Sequence, residues 1–388
     1  MPLPATERIL LGPGPSLIAP RVMRAMSSPV LSHLDPEFVP LLDDVRAALQ
    51  RVFRADDKAL TIATSGTGTS AMEAAVANAV KDGTRAVVIV TGYFGDRLVQ
   101  IMQRYGATVR RIDVEWGRAV DPQLLRDELR REGADVVGIV HAETSTGVRN
   151  PVKELAAIAA EHGALSIVDM VTSLGGQEVD LAGWGVDIAY SCSQKCIGAP
   201  SGMSPLAISG AARQRLVPCR SFYLDAKLLE DYWVNRKYHH TLSTSLIYAL
   251  REALAMVEEE GLAARQARHE RHHHALVAGV EGMGLSLLPP AGERLWTLNA
   301  VRAPQGVDEA AVRKTLLGTF NLEVGAGLGP LAGKIWRVGL MGASSTPQSV
   351  LQFLAALEAA LAANGHRVPA GAGVAAAAAA LNPQLTPA

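Results

Sequence analysis

Lys195 is the residue whose setting asks for a chemical reason. It lies in Ser193-Gln194-Lys195-Cys196-Ile197-Gly198, a stretch with no other charge, whereas Lys227 and Lys237 sit among charged and polar neighbours. Burial in apolar surroundings depresses a lysine pKa, and the free amine that results is the form that attacks a carbonyl. Upstream, Ser166-Ile167-Val168-Asp169 puts a carboxylate at the end of an apolar run. Alone, Asp169 reads as a turn or helix-capping aspartate. Ahead of a reactive amine, it also suits the task of keeping a heterocyclic nitrogen protonated.

A third feature is the turn Ser65-Gly66-Thr67-Gly68-Thr69, which follows the apolar Leu60–Thr64 and leads into Ser70-Ala71-Met72-Glu73-Ala74-Ala75. Strand, small-residue turn and helix start offer an anion the free N–H groups and positive dipole end of a helix. The turn lacks the lysine of a P-loop, and Ala71 stands where a dinucleotide fingerprint needs its third glycine. A phosphate that is not part of a nucleotide fits; so does an ordinary glycine-rich turn before a capped helix. Taken together, an anchor for phosphate, a carboxylate for a ring nitrogen and an amine for an aldehyde are what pyridoxal 5'-phosphate (PLP) requires.

The elements that must position these groups alternate. Ala59–Thr64, Ala86–Thr91, Thr108–Val114, Val136–His141, Leu165–Asp169 and Asp187–Ser191 read as strands. Ala71–Val80, Gly95–Tyr105, Pro122–Arg131 and Val152–Glu161 read as the helices between them. Such alternation predicts an α/β fold with a mostly parallel sheet, whose ligands bind beyond the carboxyl ends of the strands. A long helix is expected over Ser243–Glu259, then a smaller α+β region. Its strands would be Leu285–Pro289, Trp296–Val301, Leu322–Val324 and Ile335–Val338, and its helices Asp308–Thr319 and Pro347–Asn364.

The expected division is an N-terminal segment (1–20) packing on the small domain, a large domain (21–258), a small domain (259–370) and a low-complexity tail (371–388). The tail is assigned no function. The histidine-rich run Arg268–His274 reads as a solvated helix face and no metal site is expected. Cys192, Cys196 and Cys219 read as packed structural residues; three cysteines in 388 residues make no disulfide framework, which favours a reducing cytosol. With 37 basic and 38 acidic residues, no net charge draws the chain to nucleic acid or an anionic membrane. No signal peptide or membrane span is expected either.

At the quoted motifs the chain resembles the fold-type I, class V aminotransferases, within them the alanine–glyoxylate and serine–glyoxylate (pyruvate) group. The resemblance runs from Gly12-Pro13-Gly14-Pro15 to Arg337-Val338-Gly339-Leu340-Met341-Gly342 and is most specific at Ser65–Gly68, Gly92–Gly95, Glu143–Gly147, Ser193–Lys195 and Tyr238–Thr241. It implies a large seven-stranded-type sheet domain, a smaller α+β C-terminal domain and a PLP cofactor. It implies Lys195 as the Schiff-base lysine and proton carrier, and Asp169 as partner of the pyridine nitrogen. Ser65, Gly66, Thr67 and Gln194 would hold the phosphate, Thr144 the ring hydroxyl, and Phe94 and Val171 the two ring faces. Tyr238 and Thr241 would reach the phosphate of the neighbouring subunit in a homodimer. Arg337 would bind the substrate carboxylate, with Gly14 on the same side.

The activity implied is transfer of an amino group from alanine or serine to glyoxylate or pyruvate. Pyridoxamine–pyruvate aminotransferases share much of this pattern; an acidic residue in the cradle turn would signal that reading, and Ser65–Ser70 carries none. A cysteine desulfurase of the same fold would instead want an exposed cysteine on a mobile glycine-rich loop, and a PLP lyase or desulfurase of this fold would release sulfide, ammonia or CO2 without an amino acceptor.

Overall fold

Seven strands carry the site. The computed structural model describes residues 7–382 of the chain. Its main sheet contains β1 (Leu60–Gly66), β2 (Arg85–Val90), β3 (Thr108–Asp113), β4 (Val136–Val140), β5 (Leu165–Asp169), β6 (Ile188–Tyr190) and β7 (Gly202–Ile208). The order is β1-β7-β6-β5-β4-β2-β3. Every pair is parallel except those of β7, which runs antiparallel to β1 and β6. All residues of β4 and β5 are buried, as a sheet covered by helices on both faces requires.

Two crossover helices matter most here. Helix α1 (Gly68–Ala79) buries Ala71, Ala74, Ala75 and Ala79, small residues that let it bed closely on the sheet. Helix α2 (Tyr93–Arg104) follows β2 and buries Leu98, Val99, Ile101 and Met102. The N-termini of both helices therefore open beyond the carboxyl ends of β1 and β2.

The chain beyond Gly261 builds a second layer. Helix α3 (Thr244–Glu260), whose Ile247, Leu250, Leu254 and Val257 still belong to the main core, passes at Gly261 into α4 (Leu262–Gly282). Strands β8 (Leu298–Arg302), β9 (Gly325–Ala326) and β10 (Ile335–Gly339) form an antiparallel sheet in the order β8-β10-β9. Helices α5 (Pro347–Ala363) and α6 (Ala372–Leu381) complete it. A core around Trp336, Phe353, Leu354 and Leu276 is separate from the core of the main sheet, and Leu11 belongs to it. Ile9–Leu10 pairs in parallel with Leu322–Glu323. Among the described residues no helix is long and apolar enough to cross a membrane.

Three sequence expectations change. Leu285–Pro289 makes only an isolated bridge, Leu287 to Val301, because Pro289 and Pro290 have no N–H to continue a ladder. Conversely, β7 was not expected: it carries Gly202 and Pro205, both strand breakers. It tolerates Pro205 because β6 pairs only with Leu206–Ile208, and the proline contributes as an acceptor, from Ser191 N–H at 2.8 Å.

The histidine run is not a solvated face: His269, His272 and His273 are buried in α4. Their Nδ1 atoms lie 2.7 Å from Arg265 O, 3.0 Å from Ser345 Oγ and 2.6 Å from Asn299 Oδ1, and burial pushes their pKa values down to about 3, 4 and 4. They are neutral ties: His273 joins α4 to Asn299 of β8, while His269, whose Nε2 accepts Gly342 N–H at 3.1 Å, and His272 hold the segment after β10. The alanine-rich tail is in part an ordered helix, α6, with Gly373 and Ala377 buried where it packs on α4 and α5; residues 383–388 of it lie outside the described residues.

Candidate active site

Lys195 lies on the loop that links β6 to β7. Ser193 N–H bonds to Met203 O at 3.0 Å and Ala199 N–H to Ser193 O at 2.9 Å, fixing a tight turn around it. Ser16 staples the N-terminal segment to this loop, its N–H donating to Gln194 O and its hydroxyl to Lys195 O, both at 2.9 Å. The lysine is 8% exposed, and its Nζ donates to Pro13 O. Burial pulls its pKa below the ordinary lysine value. Gly14 presses against it: a Cβ there would come within 2.7 Å of Cδ and Cε, and the backbone φ is +104°. Only glycine suits both demands.

Asp169 ends β5 and is 2% exposed. Burial pushes its carboxyl up to about 7, opposed by the Val171 N–H that Oδ1 accepts at 2.8 Å. A carboxylate this poorly solvated is primed for a cationic partner. Val171 itself covers Gly68: a Cβ on that glycine would meet Val171 Cγ2 at 2.9 Å. Thr144 is buried, its hydroxyl 2.5 Å from that of Thr172.

Arg337 projects from the middle of β10 and is buried. Its Nε donates to Ala326 O at 2.6 Å and its Nη1 to Thr144 O at 3.3 Å. Burial lowers its pKa to about 10, so it stays charged at neutral pH. Among the described residues it forms no ion pair with a carboxylate.

One cavity of about 430 Å³ is lined by Gly14, Thr67, Phe94, Thr144, Asp169, Val171, Gln194, Lys195 and Arg337. Two larger clefts, of about 610 and 680 Å³, lie elsewhere, and the lysines along them (Lys58, Lys153, Lys227) are exposed. Ser65 and Gly66 do not line it: Ser65 Oγ lies 3.4 Å from His240 Nε2, and Gly66 has φ +125°. Tyr238, 64% exposed, and Thr241, also exposed, do not line the cavity of their own chain.

Two residues at the site had been given no role. Glu143, fully buried, accepts N–H groups from Phe94 and Gly95 (both 3.2 Å) and Ser145 (3.1 Å), and the Ser145 hydroxyl at 2.5 Å. Ser145 Oγ in turn accepts Tyr93 N–H at 2.9 Å. Glu143 thus caps α2 from another element, since Gly92 has no side chain to do so. An acid just past the buried strand β4, as Asp169 is at the end of β5, was the signal for it. Arg97 also lines the cavity, one turn after Phe94, with Nη1 donating to Thr69 Oγ1 at 2.8 Å. Nothing in its spacing marked it.

Cys192 and Cys196 are buried, and burial raises their thiols to about 12 and about 11. Neither is the exposed thiolate of a desulfurase.

Residues 10–330 match the family described as aminotransferase class-V. The chain belongs to the class-V aminotransferases. It is 36% identical over 387 residues to the (S)-ureidoglycine–glyoxylate transaminase of Bacillus subtilis, covering 94% of this chain and 93% of the relative. An alanine–glyoxylate aminotransferase from Nostoc sp. shares 47% identity and superposes with a TM-score of 0.91, covering 93% and 97% of the two chains. The pyridoxamine–pyruvate aminotransferase of Mesorhizobium loti shares 31% identity with a TM-score of 0.93 over 99% and 100%. As a class-V aminotransferase the protein is a PLP-dependent transaminase of α/β fold. The cavity suits that cofactor. Thr67 makes no side-chain cap on α1, so the helix N-terminus faces the cavity without an internal anion. A lysine amine and a buried carboxylate meet the other two requirements.

Proposed function

We propose that the protein moves the amino group of alanine or serine to glyoxylate or pyruvate. The observation that carries this reading is a buried arginine without a carboxylate of its own, Arg337, in the same cavity as the nucleophile Lys195. A guanidinium held only by carbonyl groups is a standing site for a substrate carboxylate.

When bound, PLP supplies the aldehyde that takes up an amino group and a ring that draws electrons from the substrate α-carbon. In this reading Ser65, Gly66, Thr67 and Gln194 hold its phosphate, Thr144 its ring hydroxyl and Asp169 its protonated nitrogen. Phe94 and Val171 cover the two ring faces. Lys195 accepts the proton from the substrate α-carbon and returns it at C4', a task that needs its free-amine form. Arg337 orients the substrate carboxylate, with Gly14 beside it.

We assign Tyr238 and Thr241 to the neighbouring subunit's phosphate in a homodimer. Partners are small amino acids and 2-oxo acids, with no nucleic acid or membrane. The cytosol is the compartment that keeps three unpaired cysteines reduced.

The likeness to a pyridoxamine–pyruvate aminotransferase motivates a second reading, with free pyridoxamine as donor. The uncharged Ser65–Ser70 turn favours a bound phosphate instead. A screen of alanine, serine, (S)-ureidoglycine and pyridoxamine against glyoxylate and pyruvate separates them. Fastest turnover is expected for alanine or serine with glyoxylate. Turnover with pyridoxamine alone, independent of added PLP, would overturn the first reading.

A further inference from the structure

Every group assigned above to the cofactor phosphate is neutral: hydroxyls, an amide and backbone N–H groups. A phosphate monoester carries about −1.5 to −2 at neutral pH, and charge-assisted hydrogen bonds are roughly twice as strong as neutral ones. On the cradle side the cavity is lined by an arginine that, among the described residues, no carboxylate pairs. Arg97 donates through Nη1 to Thr69 Oγ1 at 2.8 Å, placing its guanidinium beside the first turn of α1. Its position is fixed by aromatic faces, with Cζ 4.9 Å from the centroid of Phe94 and 5.3 Å from that of Tyr93.

The neighbouring acid does not neutralise it. Asp96 is claimed by Arg111, with Nη1 to Oδ1 at 2.7 Å, and by Gln100. Among the described residues Arg97 forms no ion pair. A guanidinium and the positive end of a helix dipole are thus brought together with no anion between them. That arrangement is unfavourable by itself and becomes favourable when an anion sits there. Arg337 lies on β10 and is held by Ala326 and Thr144, so the two arginines belong to different sides of the cavity.

We propose that Arg97 is the cationic member of the phosphate site, binding the dianion beside Thr67 and Thr69. This rests on the PLP reading of the cavity. It also gives Phe94 a second part, since the ring assigned to cover the cofactor has the arginine over its face. The alternative is that Arg97 only ties α2 to α1.

The test compares PLP with pyridoxal, which lacks the phosphate. Protein stripped of cofactor is titrated with each and the dissociation constants are read from absorbance or fluorescence. Wild type should prefer PLP strongly. Arg97→Gln should weaken PLP by roughly tenfold or more, one charge-assisted bond's worth, and leave pyridoxal unchanged. Arg97→Lys, which keeps the charge, should recover part of the loss.

PLP binding unchanged in Arg97→Gln would overturn the proposal, and so would equal losses for PLP and pyridoxal, the mark of a disturbed helix tie. A wild type that binds PLP no better than pyridoxal would instead sink the cofactor cradle itself. Thermal melts of the stripped variants check that each is folded.

Discussion

Burial sets the chemistry of the individual residues, and it does so in opposite directions for acid and base. Water exclusion lowers the Lys195 pKa and raises that of Asp169 from 3.8 to about 7. The second shift makes a stability prediction. An acid whose folded pKa exceeds its unfolded value holds its proton more tightly when folded, so its contribution is full below the unfolded value and fades as pH rises through the folded one. Cofactor-free protein should therefore lose a few kcal/mol relative to Asp169→Asn between pH about 4 and about 7, by the measure of roughly 1.4 kcal/mol per pKa unit. Denaturant midpoints across that range test it; parallel pH profiles for the two proteins would mean the carboxyl is not held as described. Arg337 gives a kinetic counterpart. Arg337→Ala should raise KM for both amino and oxo acid by about 10²-fold while cofactor retention stays near wild type, because a lost charged hydrogen bond costs roughly 1.5–3 kcal/mol. Unaltered substrate kinetics would remove Arg337 from the site. Lys195 and Asp169 stood out in the sequence because a charge in an apolar run is costly unless it is used. Arg97 did not, since its neighbours are an aromatic face and a hydroxyl from another helix, and neither leaves a trace in spacing.

Elements position these residues through their ends. The parallel strands were legible because buried strands read as unbroken β-branched runs, as in Val136–Val140 and Leu165–Asp169. Strand β7 was not, because its proline is excused by a gap in pairing that only the assembled sheet contains. Nor was the burial of His269, His272 and His273, whose partners Arg265, Ser345 and Asn299 include two from distant segments. The start of α2 shows the same dependence. With Gly92 at its N-cap, the helix gains its cap from Glu143, across 49 residues to Phe94. Phe94 is the ring-stacking candidate, so its backbone is placed by that carboxylate. Glu143→Gln can keep at most one acceptor oxygen and introduces an NH₂ facing N–H groups. The expected result is a stability loss of roughly 1–3 kcal/mol together with a changed visible circular dichroism of the bound cofactor. A dichroism spectrum identical to wild type would confine Glu143 to holding the fold.

For the whole molecule, the question is how many chains make one site. The cavity brings together the N-terminal segment at Pro13–Pro15, the main sheet's loops and Arg337 of the small sheet, so one chain supplies both layers. Four of the assigned phosphate ligands do not line it: Ser65 and Gly66 at the end of β1, and Tyr238 and Thr241. Tyr238 and Thr241 are exposed, and His239 between them packs on Phe222 and Tyr223, which are exposed as well. A cluster of exposed aromatic residues fits a protein interface better than solvent. If a twofold axis carries this segment onto the partner's cradle, each site contains Lys195 of one subunit and Tyr238 of the other. Complementation then follows. Lys195→Ala and the double variant Tyr238→Ala/Thr241→Ala should each be strongly impaired alone. Unfolded, mixed in equal amounts and refolded together, half the dimers are mixed, and each mixed dimer holds one intact site. Activity should return to about one quarter of the wild-type value per chain, the statistical share for an isologous dimer. If the segment served only its own chain, each mixed dimer would have one site without its lysine and one without its tyrosine and threonine. Mixing would then restore nothing beyond the average of the two parents.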